Sequence, residues 1–183
     1  MVRLWYGRVS LSSPRSLEPA MYPVTHAVIA GGVVWAAQRL AGRPRAALDL
    51  RFAALGALAP DAIDKPLHIL LASIFTDGHT VGHTLLFSLA LVSAGTVLAL
   101  RGDPRLLAFG LGSLTHPLVD PVLVYPGTLF WPLFGFGFPD VRGIPGWYLR
   151  GADVALVLAV IVGWNRSAAF RERARRFLRS GLV

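Results

Sequence analysis

Long apolar stretches separated by short polar breaks dominate the chain. Residues 24–38 are largely apolar and contain His26, and Arg39, Arg43, Arg45 and Arg51 surround the connection that follows. Residues 52–60 are apolar and end at Pro60. Asp61, Asp64, Lys65 and Pro66 then interrupt the pattern before a short apolar run over 67–75. Residues 84–100 carry no charge and are long enough to cross a bilayer with slight mismatch. Arg101 to Arg105 form a polar turn, and 106–124 are apolar except for Ser113, Thr115, His116 and Asp120. Residues 125–150 are rich in Pro, Gly and aromatics, including Trp131 and Trp147, as suits a membrane–water interface. A last apolar helix is predicted over 152–164, with Asp153 near its start. No period of two persists, so no strand is predicted. The pattern predicts an all-α fold, a polytopic membrane helix bundle of about four or five membrane helices. A broken helix pair is expected near 60–66, where protein or a wet cavity must satisfy the backbone.

Composition agrees with this reading. Of 183 residues, 54% are hydrophobic and only 15% are charged, against roughly 25% charged in soluble domains. Intrinsic disorder, a coiled coil and a collagen-like chain are excluded. The absence of cysteine excludes disulfides, thiolate metal sites and thiol nucleophiles.

The net charge of +8 changes meaning once it is located. Residues 1–20 hold three Arg and one Glu, and residues 165–183 hold six Arg and one Glu, which leaves +1 between them. The basicity therefore lies in the tails and not on a folded face that could follow phosphates, so no nucleic-acid partner is expected. Residues 1–20 read as a disordered leader or an upstream-start artefact, 21–164 as a membrane-embedded helical domain, and 165–183 as a basic cytoplasmic tail in contact with membrane lipids. The gathering of Lys and Arg on the cytoplasmic side places 39–51, 101–105 and 165–183 inside. By alternation, 76–83 and 125–150 fall outside.

Ionisable residues recur inside the apolar sequence, where each costs on the order of 3 kcal/mol and so needs a partner and a task. Asp61 and Asp64 are spaced to share one side of a helical turn. His79 and His83 are one turn apart, as are His116 and Asp120, and Pro117 should kink or end the helix there. Imidazole and carboxylate without thiolate suit zinc, manganese or iron. Two histidines plus carboxylates with an open position form a catalytic zinc pattern, and further aspartates leave room for a second ion or a general base. The plainer readings are that His26 and His68 are core residues, that Asp61 caps a helix, that Asp64 pairs with Lys65, and that Asp77 and Asp140 are solvated loop residues.

Five ordered segments, MYPVTHAVIAGG, LGALAPDAIDKPL, GHTVGHTLLFSL, GSLTHPLVDP and LFWPLFGFGFP, resemble the YdjM-like membrane-bound metal-dependent hydrolases over about residues 21–140. The resemblance marks His26, Asp61, His83, His116 and Asp120 as the matching polar positions, with Asp64 displaced by one residue from the usual Pro-Asp-x-Asp spacing. At His79 many members have Arg, so three readings stay open: this histidine replaces a substrate-binding cation, adds a ligand, or does neither. The resemblance implies a membrane-embedded hydrolase acting on a phosphoester such as a lipid. His26, Asp61, His79, His83, His116 and Asp120 would serve as metal ligands, Asp64 or Asp61 as the base, and zinc or manganese as the ion. Two alternatives use the same residues: a non-catalytic membrane protein whose His/Asp cluster is a structural metal site or polar network, and an ion or proton transporter, which the lack of an inverted repeat disfavours.

Overall fold

The structure, a computed structural model, describes residues 23–42, 48–71, 78–139 and 147–182, excepting the side chains of 121 and 147–150. The leader 1–20, Arg43, Arg45, Asp77, Asp140 and the Trp147 side chain lie outside the described residues. The described elements are helices α1 (Pro23–Leu40), α2 (Leu50–Leu70), α3 (Leu85–Leu100), α4 (Arg105–Thr115), α5 (Pro126–Leu129), α6 (Trp147–Arg166) and α7 (Ala168–Ser180). Three short 3₁₀ segments join them, Val81–His83, His116–Leu118 and Pro121–Val124. No strand occurs among the described residues.

α4 is the centre of the bundle and packs on α1, α2 and α3. Backbones meet at these crossings because glycine leaves room. A Cβ on Gly56 would run into the Phe109 carbonyl, and one on Gly112 into the Ala53 carbonyl. On the other side of α4, a Cβ on Gly110 would lie 2.7 Å from the Val92 nitrogen. Between α3 and α4 the buried hydroxyls of Ser88 and Ser113 share a hydrogen bond of 2.9 Å. Small residues at the contact and hydroxyl links across it are how helices associate where lipid removes the hydrophobic drive.

α2 corrects the expectation of a broken pair near 60–66, because it runs unbroken from Leu50 to Leu70 through Pro60 and Pro66. Each proline deletes one N–H, those facing the Gly56 and Ala62 carbonyls, and leaves the rest of the ladder in place. The glycine contacts with α4 clamp this stretch, and the neighbouring Ala57 carbonyl finds a side-chain donor in His116. Pro117 has the stronger effect: α4 stops at Thr115, and 3₁₀ turns replace it.

The basic connections gather at one end of the bundle. Asp49 caps α2 by accepting from Arg51 N (2.9 Å) and pairs with its guanidinium (2.6 Å). That guanidinium also donates to the Leu178 and Arg179 carbonyls at the end of α7, and Leu50 N donates to the Gly181 carbonyl. Phe177 of α7 packs against Val34, Leu50 and Ala53. The basic segment 168–180 is thus a helix docked under the bundle. At the opposite end, Asp153 of α6 accepts from both the backbone N–H and the hydroxyl of Thr25, tying α6 to the start of α1 beside His26.

Among the described residues, no single helix is long and apolar enough to cross a membrane. α3 is apolar but has 16 residues. The pair Gly151–Arg166 and Ala168–Ser180 qualifies together, bent by 115° at Ser167.

Candidate metal centre

α1 begins, α3 begins and α4 ends at the end of the bundle opposite the Asp49–Arg51 clasp, and the middle of α2 runs through this region. This arrangement brings together the histidines and aspartates that the sequence had scattered. Asp61 and Asp64 come from α2, His79 and His83 from the turn before α3, His116 and Asp120 from the turns after α4, and His26 from the first turns of α1. These four histidines and both α2 carboxylates are buried. Their rings contact one another, with His26 stacked on His116 (centroids 4.3 Å apart) and His83 edge-on to His116 (4.8 Å) and to His79 (4.6 Å).

Asp64 organises the turn that carries His83. Its Oδ2 accepts from Thr80 N (2.6 Å), His83 N (3.2 Å) and His83 Nδ1 (2.7 Å), and its Oδ1 accepts from Gly82 N (2.9 Å). Four donors converge on one carboxylate, three of them on Oδ2. Gly82 is required here, because a Cβ would lie 2.8 Å from the Pro60 carbonyl oxygen. Thr84 then caps α3 by accepting from Phe87 N (3.0 Å), which fixes where the turn becomes helix.

The tautomers follow from these bonds. A carboxylate and a carbonyl can only accept, so His83 Nδ1 donates to Asp64 and His116 Nδ1 donates to the Ala57 carbonyl (2.7 Å). In the neutral rings both Nε2 atoms then carry lone pairs, and they face each other 3.1 Å apart. Two lone pairs at that distance repel unless a cation, a metal ion or a proton, lies between them. Asp61 Oδ1 is 3.5 Å from His83 Nε2. Tetrahedral zinc with bonds of about 2.0–2.1 Å would set its donors roughly 3.3 Å apart. The donor set and its spacing therefore fit a divalent ion.

Among the described residues, three overlapping groups of donor atoms, each within 4.8 Å, could hold a metal ion: Asp61 with His83 and His116, His26 with His116 and Asp120, and His79 with His83 and Asp120. Asp120 serves two of them. Its Oδ1 lies 3.6 Å from His79 Nε2 and its Oδ2 lies 3.6 Å from His116 Nε2. The carboxylate is held by Val122 N, which donates to Oδ1 (3.0 Å). Asp64 belongs to none of the three groups. His68, in the last turn of α2, is half-buried and also belongs to none.

Some residues here escape a reading by motif. Lys65 pairs with Asp61 (3.0 Å), one turn back, instead of with its neighbour Asp64, and it brings a half-buried cation to the site. Thr80 and Gly82 act through backbone N–H groups, and Ala57 through its carbonyl. The spacing of Asp61 and Lys65 could have signalled the first. The glycine inside HTVGH could have signalled a close backbone approach.

Comparison with curated proteins and with solved structures gives no match. A family model described as YdjM inner membrane protein matches residues 21–178, from before α1 to the last turn of α7. That match covers most of the chain, and the protein belongs to the YdjM inner membrane protein family.

Proposed function

We propose that this protein is a membrane-embedded, metal-dependent hydrolase of phosphoesters, with zinc as the ion. The observation that carries the reading is the pair of Nε2 atoms 3.1 Å apart, each imidazole locked from behind by a hydrogen-bond acceptor. A carboxylate–histidine pair of this kind fixes the tautomer and orientation of a metal ligand. His83, His116 and Asp61 would form the first ligand set, and Asp120 would complete a second, either with His26 and His116 or with His79 and His83, sharing one central ring in each case. A divalent cation there supplies Lewis acidity toward a phosphoryl oxygen and lowers the pKa of water near it.

The chain's own residues do the rest. Asp64 positions His83. Asp61 or Asp120 accepts the proton of the attacking water, an effect typically worth about 10²–10⁴-fold. Lys65 supplies the cation for an anionic substrate that His79 does not. The helices that bury the site restrict bulk water, which strengthens charge stabilisation. In the membrane, the arginine-rich end with α7 faces the cytoplasm and the cluster opens to the other side.

Elemental analysis of protein purified in detergent without added metal tests this reading directly. Bound zinc, and turnover of a phosphomonoester or phosphodiester that chelator abolishes and restored metal returns, are expected. A proton on His83 Nε2 would also relieve the contact with His116, which makes a purely structural polar network the second reading. Protein that binds no divalent metal under any condition establishes that second reading and removes the hydrolase. The topology has its own check: a Cys introduced at Gly78 should react with impermeant reagent from the non-cytoplasmic side only.

A further inference from the structure

Asp153 is the only charged side chain between Gly151 and Asn165. Around it α6 is apolar and exposed, at Val154, Leu158 and Ile161 among others. A carboxylate in such a helix is costly in a membrane protein and generally has a partner and a task. The partner is on α1, the helix on which α6 packs. Asp153 Oδ1 accepts from Thr25 N (2.7 Å) and from the Thr25 hydroxyl, across 128 positions of sequence.

Thr25 is the third residue of α1, and an N–H in the first turn has no acceptor within its own helix. Asp153 therefore does for α1 what a capping residue usually does from the position just before a helix. Its negative charge also lies at the favourable end of the helix dipole. Two bonds from one residue, one from its backbone and one from its side chain, restrain both the height and the rotation of the first turn.

The next residue is His26. It is buried, its ring stacks on His116 with centroids 4.3 Å apart, and it shares a donor group with His116 and Asp120. A ligand constellation must be held to within about 0.5 Å to work. Three of its members have visible supports: Asp64 behind His83, the Ala57 carbonyl behind His116, and Val122 N on Asp120. We propose that Asp153 is the corresponding positioning residue for α1: by capping that helix at Thr25 it sets His26 against His116, so that His26, His116 and Asp120 can take an ion together. The proposal rests on the metal reading above and extends the centre to a residue on α6.

The test uses full-length protein in detergent and two readouts. One is titration of metal-free protein with cobalt(II), whose visible bands report the ligands around it. The other is the ring signals of the five histidines in metal-free, histidine-labelled protein, with His26 assigned through His26→Gln. Asp153→Leu removes the acceptor. It should weaken binding about 10–100-fold for the ion that His26→Gln loses, the usual effect of removing an outer partner of a metal site. It should also move the His26 and His116 signals, because those rings are stacked, and leave His68 in place. Asp153→Asn keeps an oxygen that can accept both bonds, and Thr25→Ser keeps both donors, so these two variants should stay close to wild type. Thr25→Val keeps the N–H bond and loses only the hydroxyl. It should move the same signals with a smaller loss of affinity, and it carries the test if Asp153→Leu does not fold.

A fall in melting temperature with unmoved His26 and His116 signals and wild-type cobalt affinity would make Asp153 a structural cap only and overturn the proposal. So would Asp153→Asn behaving like Asp153→Leu, because charge and not hydrogen-bond geometry would then be at work. Wild-type protein that takes up neither cobalt nor zinc removes the metal reading and the ligand role of His26 with it. The ring signals of the metal-free variants still decide, by themselves, whether Asp153 places His26.

Discussion

Replacing Asp64 with Asn separates two roles for this carboxylate. Asp64 is fully buried and accepts four hydrogen bonds, three on Oδ2 and one on Oδ1. Asn has the same shape but only one acceptor oxygen. With that oxygen in place of Oδ2 it keeps Thr80 N, His83 N and His83 Nδ1, and its amide N–H₂ then meets Gly82 N–H, donor against donor. A buried donor left unmade costs about 1–3 kcal/mol, and hydrogen bonds to an ionised acceptor exceed those to a neutral one by roughly 1 kcal/mol each. The opposite orientation leaves three donors unmet and is worse. Asp64→Asn should therefore loosen the 79–83 turn and weaken metal binding about 10–100-fold, the usual effect of losing the partner behind a ligating histidine. Competition against a calibrated zinc chelator, run beside a thermal unfolding curve in the same detergent, measures both effects. A variant that keeps wild-type metal affinity and stability but loses turnover would refute this reasoning and make Asp64 the general base.

Other consequences are open to measurement. His116→Ala and Asp120→Ala should each lose bound metal and any hydrolysis while still inserting in the membrane, and His68→Ala should change neither, as read by elemental analysis and turnover. Gly112→Val should fail to assemble or lose more than about 3 kcal/mol, because the new Cβ meets the Ala53 carbonyl where α2 and α4 touch, and detergent-resistant helical signal on heating reports it. The Arg51 guanidinium holds the Asp49 carboxyl below its ordinary pKa. A depressed folded-state pKa contributes stability fully present above the unfolded value, near about 3.9, and lost as pH falls through the folded value. The clasp between α2 and α7 should therefore loosen only below about pH 4, and Asp49→Asn should flatten that acid limb of a stability–pH curve.

Helix identity was legible because it rests on local pattern. The apolar run 84–100 predicts a helix and α3 covers Leu85–Leu100; the arginine-rich turn at 101–105 separates it from α4. Pro117 marks the end of α4 because the lost N–H and the ring both act within one turn. Pro60 and Pro66 misled for a tertiary reason. Their neighbours Gly56 and Ala57 are held by α4 and by His116, contacts made by residues more than fifty positions away in the chain. The same distance in sequence hides the division of labour at the centre. From spacing alone, Asp61 and Asp64 look equivalent on their helix. Only the turn at 79–83, folded back onto α2 through Gly82, shows that Asp64 is engaged by four donors while Asp61 faces the open side of His83.

That division has a consequence for how so small a bundle supports a charged cluster. Three carboxylates and four imidazoles in apolar surroundings would be costly if each needed its own solvation. Here the backbone supplies much of it: Thr80, Gly82, His83 and Val122 donate to aspartates, and Ala57 accepts from His116. Those N–H groups are available because the chain leaves the α-helical ladder at 79–83 and 116–124, and the Ala57 carbonyl accepts from His116 through a second lone pair. Regular helices would have used the same N–H groups internally. The short α4, the 3₁₀ turns and Pro117 are therefore not defects of the helical bundle. They free the polar backbone that orients the histidines and aspartates, and substituting Pro117 should disturb the His/Asp cluster before it disturbs the glycine-packed helices beneath it.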